Sequence, residues 1–136
     1  LFVKYSNYNY VCIDEREFRF GMHNNDLNLK DLINDAIKNK MIKPPFSITL
    51  GSEGSLFVNE ERNFIKCPIF FTDILDTTGA GDAYLSITSV LTKAGVDDCL
   101  VPFLGNCYAG LKTKIIGNKK AVSKIDLIKT VKALLG

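Results

Sequence analysis

The sequence predicts an α/β domain in which a central sheet is flanked by helices. Short β-prone apolar runs fill the first half of the chain, and one amphipathic helical pattern separates the first run from the others. Three further helical patterns then cluster in the second half. This order suits layers packed around one sheet, and no internal repeat or long linker divides the chain, so residues 1–136 read as a single domain.

Each element follows from its residues. Tyr10-Val11-Cys12-Ile13 is β-prone and ends in Asp14-Glu15-Arg16-Glu17, so a first strand would deliver carboxylates at its C-terminal edge; the plainer reading of those acidic residues is a solvated loop. Tyr5, Tyr8 and Tyr10 read as a strand face rather than a stacking platform for bases. The polar residues 24–28 break the chain, with His23 as an exposed turn residue before them. From Leu29, the residues Leu32, Ile33, Ala36, Ile37 and Met41 recur at helical spacing, and Pro44-Pro45 closes the exit. Residues 46–50 follow as a buried strand, turn through Gly51-Ser52-Glu53-Gly54, and return as a hairpin partner over 55–58. After a turn at 59–63, residues 64–68 lead back toward Phe70-Phe71. Pro68 marks an edge position there, because proline cannot donate to a sheet ladder. Helical patterns then cover 83–94, 100–112 and 125–135. The first carries Ala83, Ile87, Val90, Leu91 and Ala94 as its apolar positions. The second has a broad apolar face of Leu100, Val101, Phe103, Leu104, Cys107, Tyr108 and Leu111.

Composition narrows the function. A chain of 136 residues with 46% hydrophobic residues can bury a core. Its 17 basic and 15 acidic residues are spread along the chain for a net charge of +2, which argues against nucleic acid or an anionic membrane as partner. The lysines at 112, 114, 119 and 120 read as a solvated rim, with Lys119 and Lys120 placed to attract phosphates. Cysteines at 12, 67, 99 and 107 lack Cys-x-x-Cys spacing and His23 is alone, so neither a zinc site nor a disulfide framework is expected. No apolar run reaches membrane-spanning length and no signal-peptide layout opens the chain, which points to the cytoplasm. The chain starts at Leu1 and enters an apolar stretch at once, which reads as the interior of a longer protein.

The most informative stretch is Asp76-Thr77-Thr78-Gly79-Ala80-Gly81-Asp82-Ala83. Gly79, Ala80 and Gly81 carry almost no side chain, so their backbone N–H groups can approach a phosphate closely. A helix opening at Asp82 would aim its positive dipole end at the same point. Asp82 would then stand within reach of a nucleophilic hydroxyl, and positioning with charge stabilisation is most of what phosphoryl transfer asks of a protein. The same residues also permit a tight turn shaped by Gly79 and Gly81, with Asp82 as a simple helix cap.

These eight residues and the helical pattern after them resemble the C-terminal signature of the ribokinase-like (PfkB) carbohydrate kinases, and the resemblance extends over the chain from Tyr10 onward. It implies the C-terminal, nucleotide-binding portion of the ribokinase-like layered fold, without the N-terminal half that carries most sugar contacts and the lid. Gly79, Ala80 and Gly81 would form the anion hole and Asp82 would be the base. Thr49, Gly51 and Gly54 match the Thr-x-Gly-x-x-Gly turn that lines the nucleotide site, and Asn106, within Gly105-Asn106-Cys107-Tyr108-Ala109-Gly110-Leu111, matches a helix beside the adenine. Glu17 matches the Glu of an Asn-x-x-Glu motif in which Asp14 replaces the Asn. The pair would hold water around Mg²⁺, although the added carboxylate would also repel a triphosphate. Asp76 and Thr78, with backbone oxygens of Lys112, Ile115 and Gly117, correspond to a loop that faces K⁺, although Ala121 stands where relatives often supply a Ser.

The resemblance thus implies phosphorylation of a sugar or sugar-phosphate hydroxyl by Mg-ATP. The ending of the chain, from Gly105-Asn106 through Lys129, resembles kinase domains related to the heptose-phosphate kinases, where a fused nucleotidyltransferase domain is a further expectation; a homodimer is another. Two alternatives stay open: a nucleotide-binding regulatory domain with degenerate catalysis, and a kinase for a nucleoside or vitamin alcohol.

Overall fold

The β-prone runs pair into one four-stranded sheet of order β1 (Val11–Asp14), β2 (Phe46–Thr49), β3 (Ser55–Val58) and β4 (Phe64–Cys67). The structure is a computed structural model describing residues 7–136, so Tyr5 lies outside the described residues. β1 and β2 are parallel, whereas β2 with β3 and β3 with β4 are antiparallel. A parallel step needs a crossover, which α1 (Glu15–Gly21) and α2 (Leu29–Lys38) provide. The register aligns Asp14 with Thr49, Thr49 with Ser55, and Ser55 with Cys67. One row across the sheet therefore ends β1 and β2 and begins β3.

Strand alternation decides what each face of the sheet meets. Ile13, Phe46, Ile48, Leu56 and Val58 join Phe18 of α1, Leu32, Ile33, Ala36 and Ile37 of α2, and Ile42 in one apolar core. Cys12, Ser47, Thr49, Ser55 and Phe57 alternate to the other face, which carries α3 (Ala80–Ala94) and α4 (Leu100–Thr113). α5 (Lys124–Leu135) packs on α4.

The periodic reading of α2 holds, since Leu32, Ile33, Ala36 and Ile37 are its buried residues and the Asn28 side chain caps its start by accepting from the Lys30 amide at 2.9 Å. It stops before Met41 because Lys40 turns left-handed (φ 56°) and the Met41 amide bonds back to Ala36 at 2.9 Å, a common helix-terminating geometry. The hairpin of β2 and β3 and the edge position of β4 also stand as expected.

Four expectations are corrected. Glu15, Arg16 and Glu17 form the first turn of α1, not a loop, because the Asp14 carboxylate accepts from the Arg16 amide at 2.8 Å and Phe18 is buried beneath them. Tyr8 and Tyr10 precede β1 rather than line a strand face. The Tyr8 hydroxyl accepts from the Lys43 amide (2.8 Å), and the Tyr10 hydroxyl donates to Thr88 (2.9 Å). α3 opens at Ala80, two residues before Asp82. Its hidden residues are Tyr84 and Thr88, while Val90 is 65% exposed, because hydrogen bonds and not apolar spacing set its rotation. His23 is an exposed turn residue with φ 52°, as its polar neighbours suggest. Among the described residues, no helix is long and apolar enough to cross a membrane.

Candidate functional site

A cleft of about 500 Å³ opens above the row that ends β1 and β2. Its walls include Asp14, Thr49, Gly51, Gly54, Ala80, Gly81 and Asn106, drawn from four separate stretches of sequence. Parallel strands place their C-terminal ends where loops diverge, the usual location for a ligand crevice in such sheets. Ile69, Phe71, Ile74, Tyr84 and Ala109 make up most of the apolar part of the lining. Asp76, Thr78, Gly79, Asp82 and Glu17 lie outside that lining; Asp82 follows Gly81 on the first turn of α3 with its side chain exposed, and Glu17 is exposed on α1.

The floor of the cleft is built by close approaches. Gly54 has φ 94°, and a Cβ there would meet the Cys67 carbonyl oxygen at 2.0 Å, so the turn after β2 can press on the end of β4 only with glycine. Asn106 holds that same segment, its amide donating to the carbonyls of Cys67 (2.8 Å) and Pro68 (2.9 Å). Both residues thus shape the cleft structurally as well as lining it. Tyr84, 1% exposed, donates to Ser47 at 3.2 Å, and Thr88 bonds Tyr10 and the Tyr84 carbonyl. Burial pushes the Tyr84 phenol and the Cys12 thiol each up to about 12.

At the mouth, Asp76 folds the turn before α3. It accepts from the Thr78 amide at 2.8 Å, and the Thr77 carbonyl accepts from the Ala80 amide at 3.1 Å. The Ala80 amide is thus engaged in closing the turn. The amides of Gly79, Gly81 and Asp82 have no acceptor among the described residues, so the open donors start one residue on each side of Ala80. They stand at the N-terminus of a 15-residue helix, where backbone N–H groups and dipole favour an anion.

The second carboxylate oxygen of Asp76 accepts from the Gly117 amide at 2.7 Å. Hydrogen bonds from Thr78 and then Gly117 hold the Asp76 carboxyl at about 2. The Gly117 carbonyl accepts from the Lys112 ammonium, and the Lys112 carbonyl already accepts from the Ile115 amide at 3.0 Å. Lys112 is only 7% exposed, which overturns its reading as a solvated rim residue. Lys119 and Lys120 are exposed, and Lys114 pairs with Asp73 at 3.0 Å. A usable signal for Lys112 exists, since Val101, Gly105, Tyr108 and Lys112 follow one another at helical steps along α4. Gly105 on that face packs so tightly on α3 that a Cβ would meet Tyr84 at 2.5 Å.

Metal chemistry at the cleft depends on the ligand. No group of three or more His, Cys, Asp or Glu among the described residues could hold an ion by itself. Asp14 is exposed and accepts from the Arg16 amide through one carboxylate oxygen, Glu15 is engaged with Arg19 at 2.8 Å, and Glu17 is exposed. That set fits a magnesium ion that keeps its waters and takes its remaining oxygens from phosphates.

Comparison with known proteins gives a consistent family. The sequence model for pfkB family carbohydrate kinases matches residues 5–109. A protein of Pyrococcus horikoshii described by name as a sugar kinase is 32% identical over 85 residues, covering 61% of this chain and 27% of that one. Phosphofructokinase-2 of Escherichia coli, solved in complex with potassium, superposes with a TM-score of 0.79 at 19% identity, over 96% of this chain and 42% of that one. Ribokinase of Arabidopsis thaliana, solved with ribose and ATP, does so with a TM-score of 0.76 at 20% identity, over 90% and 40%. The chain thus spans between 27% and 42% of the length of these proteins, and the part it matches in the solved kinases is C-terminal.

Proposed function

The chain belongs to the pfkB family of carbohydrate kinases, and from that premise we propose that it supplies the nucleotide cleft, the anion turn and the base for phosphoryl transfer from ATP to a hydroxyl of a sugar or sugar phosphate. One observation carries the proposal. The cleft gathers Asp14, Thr49, Gly51, Gly54 and Asn106 beside the first turn of α3, whose Gly79, Gly81 and Asp82 amides are open.

In this reaction the Asp82 carboxylate accepts the acceptor's hydroxyl proton as that oxygen bonds to the γ-phosphorus, and the bond from the γ-phosphorus to the bridging oxygen breaks to release ADP. The amides of Gly79, Gly81 and Asp82, with the dipole of α3, stabilise charge on the group in transit. Thr49, Gly51 and Gly54 border the nucleotide, and Asn106 keeps the β4 exit clear of it by gripping Cys67 and Pro68. Magnesium would supply charge neutralisation at the phosphates when bound, and Asp14 and Glu17 are the residues that would help hold it.

The test compares wild type with Asp82→Asn in a coupled ADP-release assay with Mg-ATP and a panel of sugars, sugar phosphates, nucleosides and vitamin alcohols. Turnover should fall by about 10²-fold or more while nucleotide affinity is kept. Turnover near that of wild type in Asp82→Asn would remove Asp82 as the base. Wild-type protein that binds ATP yet releases no ADP with any acceptor would favour the nucleotide-binding regulatory reading.

A further inference from the structure

Lys112 is the one charged side chain buried among the described residues, at 7% exposure, and no carboxylate lies within ion-pair distance of it. A buried ammonium requires compensation. Its surroundings supply it in an ordered way. The Gly117 peptide is gripped at both ends, its N–H by Asp76 at 2.7 Å and its C=O by the Lys112 ammonium. Lys112 in turn lies under the turn that starts α3, since a Cβ on Gly79 would meet its Cε at 3.1 Å and its Nζ at 3.8 Å. Its charge reaches Asp76, whose carboxylate it helps to keep ionised.

The monovalent cation that the family resemblance implies does not fit this loop. Two positive charges would have to share one oxygen, because the Lys112 ammonium already donates to the Gly117 carbonyl that would face the ion, while both Asp76 oxygens accept from backbone amides. We infer that the Lys112 ammonium is a built-in monovalent cation: it occupies the loop between Gly117 and the start of α3, and makes the cleft independent of added K⁺. A tethered ammonium carries the same unit charge as a potassium ion but loses no translational freedom on binding, so the loop stays organised at any salt composition. It also sets a fixed positive charge close to Gly79 at the start of α3, which favours an anion at the open amides. Lys112 is on this account a positioning residue.

The inference takes the nucleotide cleft as its setting, but its test reads cation response and stability, which survive if the kinase reading fails. Melting of the wild-type protein is compared in KCl and in choline chloride at equal ionic strength, and Tm should be the same in both. Lys112→Ala should lose ~4 °C or more in choline chloride and recover most of that loss in KCl or methylammonium chloride, which refill the vacated position. Lys112→Met, which keeps the apolar stem, should lose stability without recovering it. A saturable KCl-specific rise in the wild-type Tm overturns the inference without reference to any variant. So does a Lys112→Ala protein that ignores both small cations. If ADP release is detected, its rate in the wild type should likewise be equal in the two salts.

Discussion

The two faces of the sheet are built by different rules. On the α1 and α2 side, Phe18, Leu32, Ile33, Phe46, Ile48 and Val58 form a core of buried apolar side chains. On the α3 and α4 side, Tyr10, Ser47, Tyr84 and Thr88 are linked by hydrogen bonds, Asn106 holds the end of β4, and Lys112 is buried at the loop. The first face can tolerate any well-shaped apolar set, because burial is non-directional. The second cannot, because each buried polar group must find its partner. The candidate site lies on the second face, where directional bonds fix atoms more tightly than apolar contact does.

The hardest blow to this contrast falls on the apolar side. Ile33→Ala removes a fully buried side chain and should cost about 2–5 kcal/mol in urea denaturation, with the slope of the transition unchanged. A cost under about 1 kcal/mol would mean that this core is loosely packed. A smaller effect tests the polar side. Tyr84→Phe keeps the ring and removes the hydroxyl that bonds Ser47, so a loss of about 1–2 kcal/mol is expected, and no loss would show that the network is incidental to packing.

The gentlest probe is pH. Tyr84 and Cys12 titrate at about 12 when folded, against ordinary values of 10.0 and 9.0, and burial also raises Tyr10. The unfolded chain therefore ionises first, so stability from these groups is complete below about 9 and is lost as pH rises toward 12. Denaturation midpoints should fall across that interval, and Tyr84→Phe should flatten the decline. An equal decline in the variant would assign the alkaline sensitivity elsewhere.

Legibility in the sequence differs between the faces in the same way. The α2 helix, the β2–β3 hairpin and the glycine-rich turn before α3 are visible because spacing and turn residues act over a few positions. The rotation of α3 is not, since Ala83, Ile87, Val90, Leu91 and Ala94 suggest a different inner side from the one Tyr84 and Thr88 take. Hydropathy ranks Ile and Val above Tyr and Thr, but Tyr10 lies 78 residues away from Thr88 and its hydroxyl decides the matter. Of the candidate site, the residues around Gly79 are legible as a motif. That the Ala80 amide closes the turn is a property of the folded backbone.

By itself the sequence determined the order of the strands and of the helices from α2 onward, the hairpin turn and the bare-backbone stretch before α3, because those depend on residues close along the chain. Only the tertiary structure decided that Asp14, Thr49, Ser55 and Cys67 share one row, that Asn106 clasps the exit of β4, and that Lys112 is hidden beneath Gly79 rather than solvated. Strand register and helix packing bring together groups tens of residues apart, and whether a polar side chain is a surface charge or a buried partner depends on what arrives opposite it.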